Sequence, residues 1–178
     1  MQSITAPTTK ILETIVSASH GPVLDLLGPT VEFITSPDGL EGFCVLKGTI
    51  PPGVAVPLHS HDDAEAFLVL SGTQQALVQD GKGSRWRDLN AGDYIHVEGG
   101  VAHAWRNTSD APAIDLIITT PRLGRFFQEM GTPHCGPRKP PSAGDLARLS
   151  ELAAKYGYWN ATPEQNAAVG IELPLIGR

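Results

Sequence analysis

A chain of 178 residues with 41% hydrophobic content is long enough to bury one sizeable core, and no internal repeat of roughly 20–50 residues divides it. The net charge of -6, with Lys and Arg scattered along the chain, gives no basic footprint and argues against a nucleic-acid partner. No apolar stretch is long enough to span a membrane, and Lys10 stands alone before an interrupted apolar run, so neither a membrane nor a secretory signal is indicated and a cytoplasmic location is expected.

Residues 1–29 form an N-terminal arm without a clear pattern. Short alternating or apolar runs separated by Gly, Pro, Asn and Asp then follow, the signature of an antiparallel barrel or sandwich. Strands are expected at Val31–Thr35, Gly42–Ile50, Ala64–Ser71, Thr73–Gln79, Ser84–Leu89, Tyr94–Val97, His103–Asn107 and Ala113–Thr120. Turn chemistry punctuates them at Pro37-Asp38-Gly39, Asp80-Gly81, Asn90-Ala91-Gly92 and Ser109-Asp110.

After Pro121 the periodicity changes. Leu123, Phe126, Phe127 and Met130 fall at near-helical spacing and predict a short helix covering part of the barrel. A Pro-rich linker, Gly136 to Pro141, precedes a second helix from about Ala143 to Lys155, capped by Ser142, with Leu146, Leu149, Leu152 and Ala153 on one face. Trp159 to Arg178 carries no strong structural signal.

The chemistry concentrates in four residues. His59, His61 and Glu65 fall within seven positions, and His103 returns later after a glycine-punctuated stretch. Side chains alternate faces along a strand, so His59 and His61 point the same way there, whereas helical ligand pairs sit three or four apart. Pro51, Pro52, Gly53 and Pro57 argue against a helix in any case. Three neutral imidazoles and a carboxylate suit a divalent first-row metal: Fe, Mn, Co, Ni, Cu or Zn. Placed on one barrel wall without a metal, these groups would each cost roughly 1–3 kcal/mol if left unpaired.

This pattern resembles the cupin superfamily. Its first motif reads Gly, five residues, His, one residue, His, three or four residues, Glu, six residues, Gly, and Gly53, His59, His61, Glu65 and Gly72 match it. Gly92, Gly100, His103 and Asn107 fit the second motif, where Glu98 replaces the usual proline while Gly99 and Gly100 supply freedom for a tight turn. The resemblance covers about residues 30 to 120 and implies an all-β fold: a cupin β-barrel (double-stranded β-helix, jelly roll), here with a C-terminal helical extension at 121–178. It further implies His59, His61, Glu65 and His103 as metal ligands.

Around these ligands, Phe67, Trp105, Asn107 and Phe126 are candidate substrate-pocket residues, although core filling is the favoured reading for Phe67 and Val69. Asp62 and Asp63 are expected to face solvent. His96 is expected to be a partly exposed structural residue, His20 and His134 receive no role, and Cys44 and Cys135 are expected to be free thiols.

The likeness to bacterial single-cupin quercetinase-like dioxygenases implies O2-dependent cleavage of an enol, phenol or diketone-like organic substrate, with Glu65 as both ligand and catalytic base. The alternatives are a non-redox lyase, isomerase or epimerase, and a small-molecule-binding cupin without catalysis. Sugar-processing cupins usually carry extra charges inside the barrel; Phe43–Ile50 offers only Lys47 and Ala113–Thr120 only Asp115, which, with Trp105 and nearby aliphatics, leans toward a hydrophobic or aromatic substrate. A homodimer is expected from the resemblance and from the edge strands that an open barrel leaves.

Overall fold

A computed structural model describes residues 21–39, 42–80, 83–135 and 140–172. The expected arm up to residue 20, including His20, and residues 173–178 lie outside the described residues, as do Gly81 of one expected turn and residues 136–139 of the Pro-rich linker.

Alternation of buried and outward residues dictates the architecture. In Cys44–Ile50 (β3) the buried positions are Cys44, Leu46, Gly48 and Ile50, and in Ala113–Thr119 (β10) they are Ala113, Asp115, Ile117 and Thr119. Shifting either strand by one residue would turn its whole apolar set to solvent, which fixes the register. Val23–Asp25 (β1), Thr30–Phe33 (β2), Glu65–Ser71 (β5), Tyr94–Val97 (β8) and the short Thr132–Pro133 (β11) join them in a seven-stranded sheet of order β11-β1-β2-β3-β10-β5-β8. Ala55–Ser60 (β4), Thr73–Asp80 (β6), Gly83–Asn90 (β7), His103–Arg106 (β9) and Trp159–Asn160 (β12) form a five-stranded sheet of order β12-β4-β9-β6-β7. All pairings are antiparallel. The fold is therefore all-β, a two-sheet jelly roll.

Both sheets turn apolar side chains into one core containing Leu46, Val54, Phe67, Ala76, Trp105 and Ile117. Phe67 and Trp105 meet across it with ring centroids 4.4 Å apart. Burial of such large side chains contributes about 1.5–3 kcal/mol each. At the tight junction after β5, Gly72 has φ +78, and a Cβ there would lie 2.3 Å from the Pro112 carbonyl oxygen, so only glycine fits.

The predicted strands are found with ends shifted by one or two residues, and Cys44 and Cys135 are free thiols. Lys47 points away from the core and pairs with Glu32 on the neighbouring strand at 3.2 Å, so it contributes no charge to the barrel interior. β1, β11 and β12 are additions to the sequence reading, two of them only two residues long.

Both predicted helices form. Pro121–Met130 (α1) starts on Thr120, whose hydroxyl accepts from the Leu123 amide, with Pro121 at the first turn. Ala143–Tyr156 (α2) opens with a Ser142–Asp145 capping box and ends at Gly157 in the left-handed conformation. Leu123, Phe126 and Met130 of α1 pack with Leu149 and Leu152 of α2 and with Tyr156 and Tyr158. Among the described residues no helix is long and apolar enough to cross a membrane.

The segment after Trp159 departs from its featureless sequence reading. Beyond β12 it forms a third helix, Pro163–Ala168 (α3), with a Thr162–Gln165 capping box. Its Asn166 is fully buried: Oδ1 accepts from the Leu58 amide, and Nδ2 donates to the Ala161 and Thr162 carbonyls. Leu58 needs this partner because the β4–β9 ladder shifts register between Val56 and His59, leaving its amide outside the pairing. The C-terminal segment thus repairs the hydrogen bonding of the strand that carries His59. Val169 and Ile171 then pack against Leu77, Ala104 and Trp86.

One buried polar pair lies away from the metal-ligand candidates. Gln74 Nε2 donates to Asp115 Oδ1 at 2.8 Å, while Gln74 Oε1 is buried without a partner. Burial, only partly opposed by that hydrogen bond, pushes Asp115 from 3.8 up to about 6. A protonated Asp115 would have a proton to offer the unpartnered Gln74 Oε1 beside it. The folded state therefore holds a proton that the unfolded state releases, and stability falls as pH rises from about 4 through 6, by up to about 3 kcal/mol. Asp115→Asn, which donates to the same oxygen at every pH, is expected to abolish this slope in urea unfolding and to be more stable than wild type at pH 8; an unchanged slope contradicts the pairing.

Candidate metal centre

The two sheets bring the four candidate ligands together from separate elements. His59 lies on β4 directly opposite His103 on β9 in the five-stranded sheet. Glu65 opens β5 in the other sheet, opposite Thr119 of β10 and Val97 of β8. His61 sits in the loop between β4 and β5. That loop is pinned to the second motif by the Gly100 amide, which donates to the His61 carbonyl at 2.7 Å. Gly99 is required beside it, since a Cβ there would fall 2.2 Å from the Asp62 carbonyl oxygen.

Backbone carbonyls orient all three imidazoles. Nδ1 of His59 lies 2.7 Å from the Pro57 oxygen, Nδ1 of His61 2.8 Å from the Asp63 oxygen, and Nδ1 of His103 2.7 Å from the Val101 oxygen. A carbonyl only accepts, so each Nδ1 carries the proton, and in the neutral ring Nε2 is left with a lone pair. This is the arrangement by which metal-ligating histidines are usually held. Ligand atoms of the three rings lie within 4.8 Å of one another. Metal–nitrogen bonds of about 2.0–2.1 Å put donors roughly 3–4 Å apart, which small side-chain rotations reach.

The carboxylate completes the set. Glu65 Oε2 stands 3.3 Å from Nε2 of both His61 and His103, and all three side chains are buried. The His103 approach is not an aligned hydrogen bond, and its Nε2 is a buried nitrogen without a partner. Lone pairs of nitrogen and oxygen facing one another repel unless a proton or a cation sits between them. That orphaned nitrogen beside a carboxylate is the observation that fits the residues to a divalent metal, and three His can hold one here.

Electrostatics agree with that reading. Burial, then the neighbouring His103 and His61, push His59 down to about 3, so it is neutral across the physiological range. Burial alone would raise the Glu65 carboxyl, but positive charge or a proton on the facing His103 and His61 imidazoles more than offsets it and brings Glu65 down to about 2, the place a cation would also fill. For His61 burial disfavours the charged ring, yet the Glu65 contact outweighs it and raises the pKa.

The other candidates fall in different places. Phe67 and Trp105 are buried in the common core. Asn107 is buried, but its amide donates to the Ile50 and Ala111 carbonyls and its oxygen accepts from Ser109, so its polar groups are committed to building the turn. Phe126 packs on Tyr158 with centroids 4.9 Å apart, and Tyr158 in turn lies 5.2 Å from the His61 ring. His96 is exposed on β8. Asp62 is exposed as expected, whereas Asp63 is not: it is 5% exposed because three donors from outside the barrel surround its carboxylate. Sequence reading missed Tyr158, which lies just past the C-cap Gly157 in a stretch of aromatics, Tyr156 to Trp159.

Metal uptake must displace the proton that His61 retains above the ordinary histidine value. Apparent Co2+ affinity is therefore expected to climb with pH until the His61 pKa is passed and then level off, with proton release visible as buffer-dependent calorimetric heat. His61→Ala and His103→Ala are expected to lose the metal, and pH-independent binding with no proton release contradicts the assignment.

Residues 46–119 match the family model described as Cupin domain. No curated protein matches the chain significantly. Among solved structures, a predicted oxalate decarboxylase from Thermotoga maritima is 20% identical, covering 60% of this chain and 98% of that one, with a TM-score of 0.52. A cupin-superfamily sugar phosphate isomerase from Silicibacter pomeroyi is 26% identical over 53% of this chain and 61% of its own, with a TM-score of 0.45. The Cupin_2 domain of an XRE family transcriptional regulator from Enterobacter cloacae is 23% identical over 52% and 96%, with a TM-score of 0.44. The likeness to the Thermotoga maritima structure concerns the fold alone, and His59, His61, Glu65 and His103 all fall within the span matched by the family model. The described residues thus form a two-sheet jelly roll, of which residues 46–119 match the cupin model, and in it three histidines can hold a metal ion.

Proposed function

We propose that the protein is a metal-dependent dioxygenase that cleaves an enol, phenol or diketone-like organic molecule with O2, resembling the quercetinase-like cupins. The observation that carries this reading is the convergence of three imidazoles, each with Nδ1 on a backbone carbonyl, with the buried Glu65 carboxylate. A bound divalent metal would supply a Lewis acid for a substrate oxygen and redox chemistry toward O2.

The chain's own residues account for the rest. His59, His61 and His103 would hold the metal, each locked by its carbonyl. Glu65 Oε2, buried within 3.3 Å of two imidazoles, would accept the proton of a substrate hydroxyl as it binds. The core beneath is apolar and aromatic at Phe67 and Trp105, and its buried acid, Asp115, lies four residues along β10 from Thr119, roughly 13 Å from the level of Glu65. That distribution supports an organic substrate with few charges over a sugar phosphate.

Oxygen uptake by Fe-, Mn-, Co- and Ni-loaded protein against flavonols, diketones and catechols tests the reading. Consumption that disappears in His61→Ala is expected, with Glu65→Gln keeping part of its metal while losing at least about 100-fold in rate, as expected for a removed general base. Full metal loading without consumption shifts the assignment to a non-redox lyase or isomerase, and no stable metal to a binding role.

The reading includes a homodimer, because β8 and β7 end the two sheets as edge strands among the described residues. Sedimentation equilibrium is expected to give twice the chain mass at micromolar concentration, and a monomer there removes the dimer from the proposal.

A further inference from the structure

Asp63 lies between two proposed ligands and touches both the metal loop and the C-terminal extension. Its main-chain oxygen accepts the Nδ1 proton of His61 at 2.8 Å. Its carboxylate is buried and takes three donors, each from beyond β10. The Thr120 hydroxyl donates to Oδ1, Arg122 Nη1 to Oδ2 at 2.8 Å, and the Tyr158 hydroxyl to Oδ2 at 2.6 Å.

Those donors are themselves tied together. Thr120 caps α1, Arg122 sits in its first turn, and Arg122 Nη2 also donates to the Tyr156 carbonyl. The Arg122 guanidinium lies 5.0 Å from the Tyr158 ring centre, and that ring packs 5.2 Å from the ring of His61. One small residue therefore holds a ligand imidazole through its backbone and the helical extension through its side chain. A carboxylate whose lone pairs are filled by two neutral hydroxyls and a guanidinium is a strong, charge-assisted anchor.

We infer that Asp63 and Tyr158 are positioning residues for the metal centre: the C-terminal extension, through this clamp, sets the orientation of the His61 ring. A clamp serving only to fasten the extension would need neither the His61 Nδ1 contact on the same residue nor the Tyr158 ring against that imidazole. The inference rests on the metal-centre reading above and adds the extension to the machinery of the site. Loss of a partner that orients a ligand costs about 10–100-fold in metal affinity.

The test uses the full-length protein loaded with Co2+, whose visible d–d spectrum reports ligand geometry independently of activity. Asp63→Asn and Tyr158→Phe are expected to weaken Co2+ binding at least about 10-fold in a chelator competition and to change the spectrum. Tyr156→Phe, which loses only a hydroxyl contact to Glu129, serves as the control and is expected to match wild type in both. If Asp63→Asn does not fold, Tyr158→Phe decides alone. Unchanged affinity and spectrum in Tyr158→Phe, even with a lowered melting temperature, overturn the positioning role and leave a purely structural clamp. Wild-type protein that binds no Co2+, or His61→Ala that binds it as tightly as wild type, overturns instead the metal-centre reading on which the inference stands.

Discussion

Four lone-pair donors pointed at one another inside an apolar barrel repel, and the surrounding structure exists in a form that holds them there. Three backbone carbonyls fix the imidazole tautomers, and Glu65 from the opposite sheet meets those of His61 and His103 at 3.3 Å. Each restraint has a local cause in the chain. Pro57 breaks the β4 ladder and leaves its carbonyl for His59; Gly99 lets the second motif approach the Asp62 carbonyl; Gly100 then bonds the His61 carbonyl. A site assembled this way is destabilising when empty and stabilising when a cation bridges it, since anything that binds the folded state alone favours folding.

The extension is part of the same economy of hydrogen bonds. β12 pairs with the strand carrying His59, Asn166 satisfies the Leu58 amide that the register shift leaves unpaired, and Tyr158 reaches Asp63. The helices after the barrel therefore do more than cover apolar surface. They supply partners to buried polar groups next to the ligands, which the barrel alone leaves unmet.

Much of this was legible in the chain. Period-two alternation placed the main strands to within a residue or two, and the His-x-His and Glu spacing singled out the four side chains that converge, although His61 falls in the loop just past the strand that the spacing predicts to carry it with His59. What was not legible depended on contacts between distant segments. Asp63 reads as a solvent-facing acid by its neighbours in sequence, and only the approach of Thr120, Arg122 and Tyr158 buries it. Asn107 shares parity with His103, yet the turn that follows takes up its amide. α3 was overlooked although Thr162-Pro163-Glu164-Gln165 spells a capping box with proline at the first helical position, a local signal that needed no tertiary information.

The most direct test of the account is anomalous diffraction from crystals of the protein grown with Co2+, recorded on both sides of the cobalt absorption edge. The account predicts a single strong peak about 2.0–2.2 Å from Nε2 of His59, His61 and His103 and from a carboxylate oxygen of Glu65. A map without a peak between these side chains, or with the metal on other residues, contradicts it.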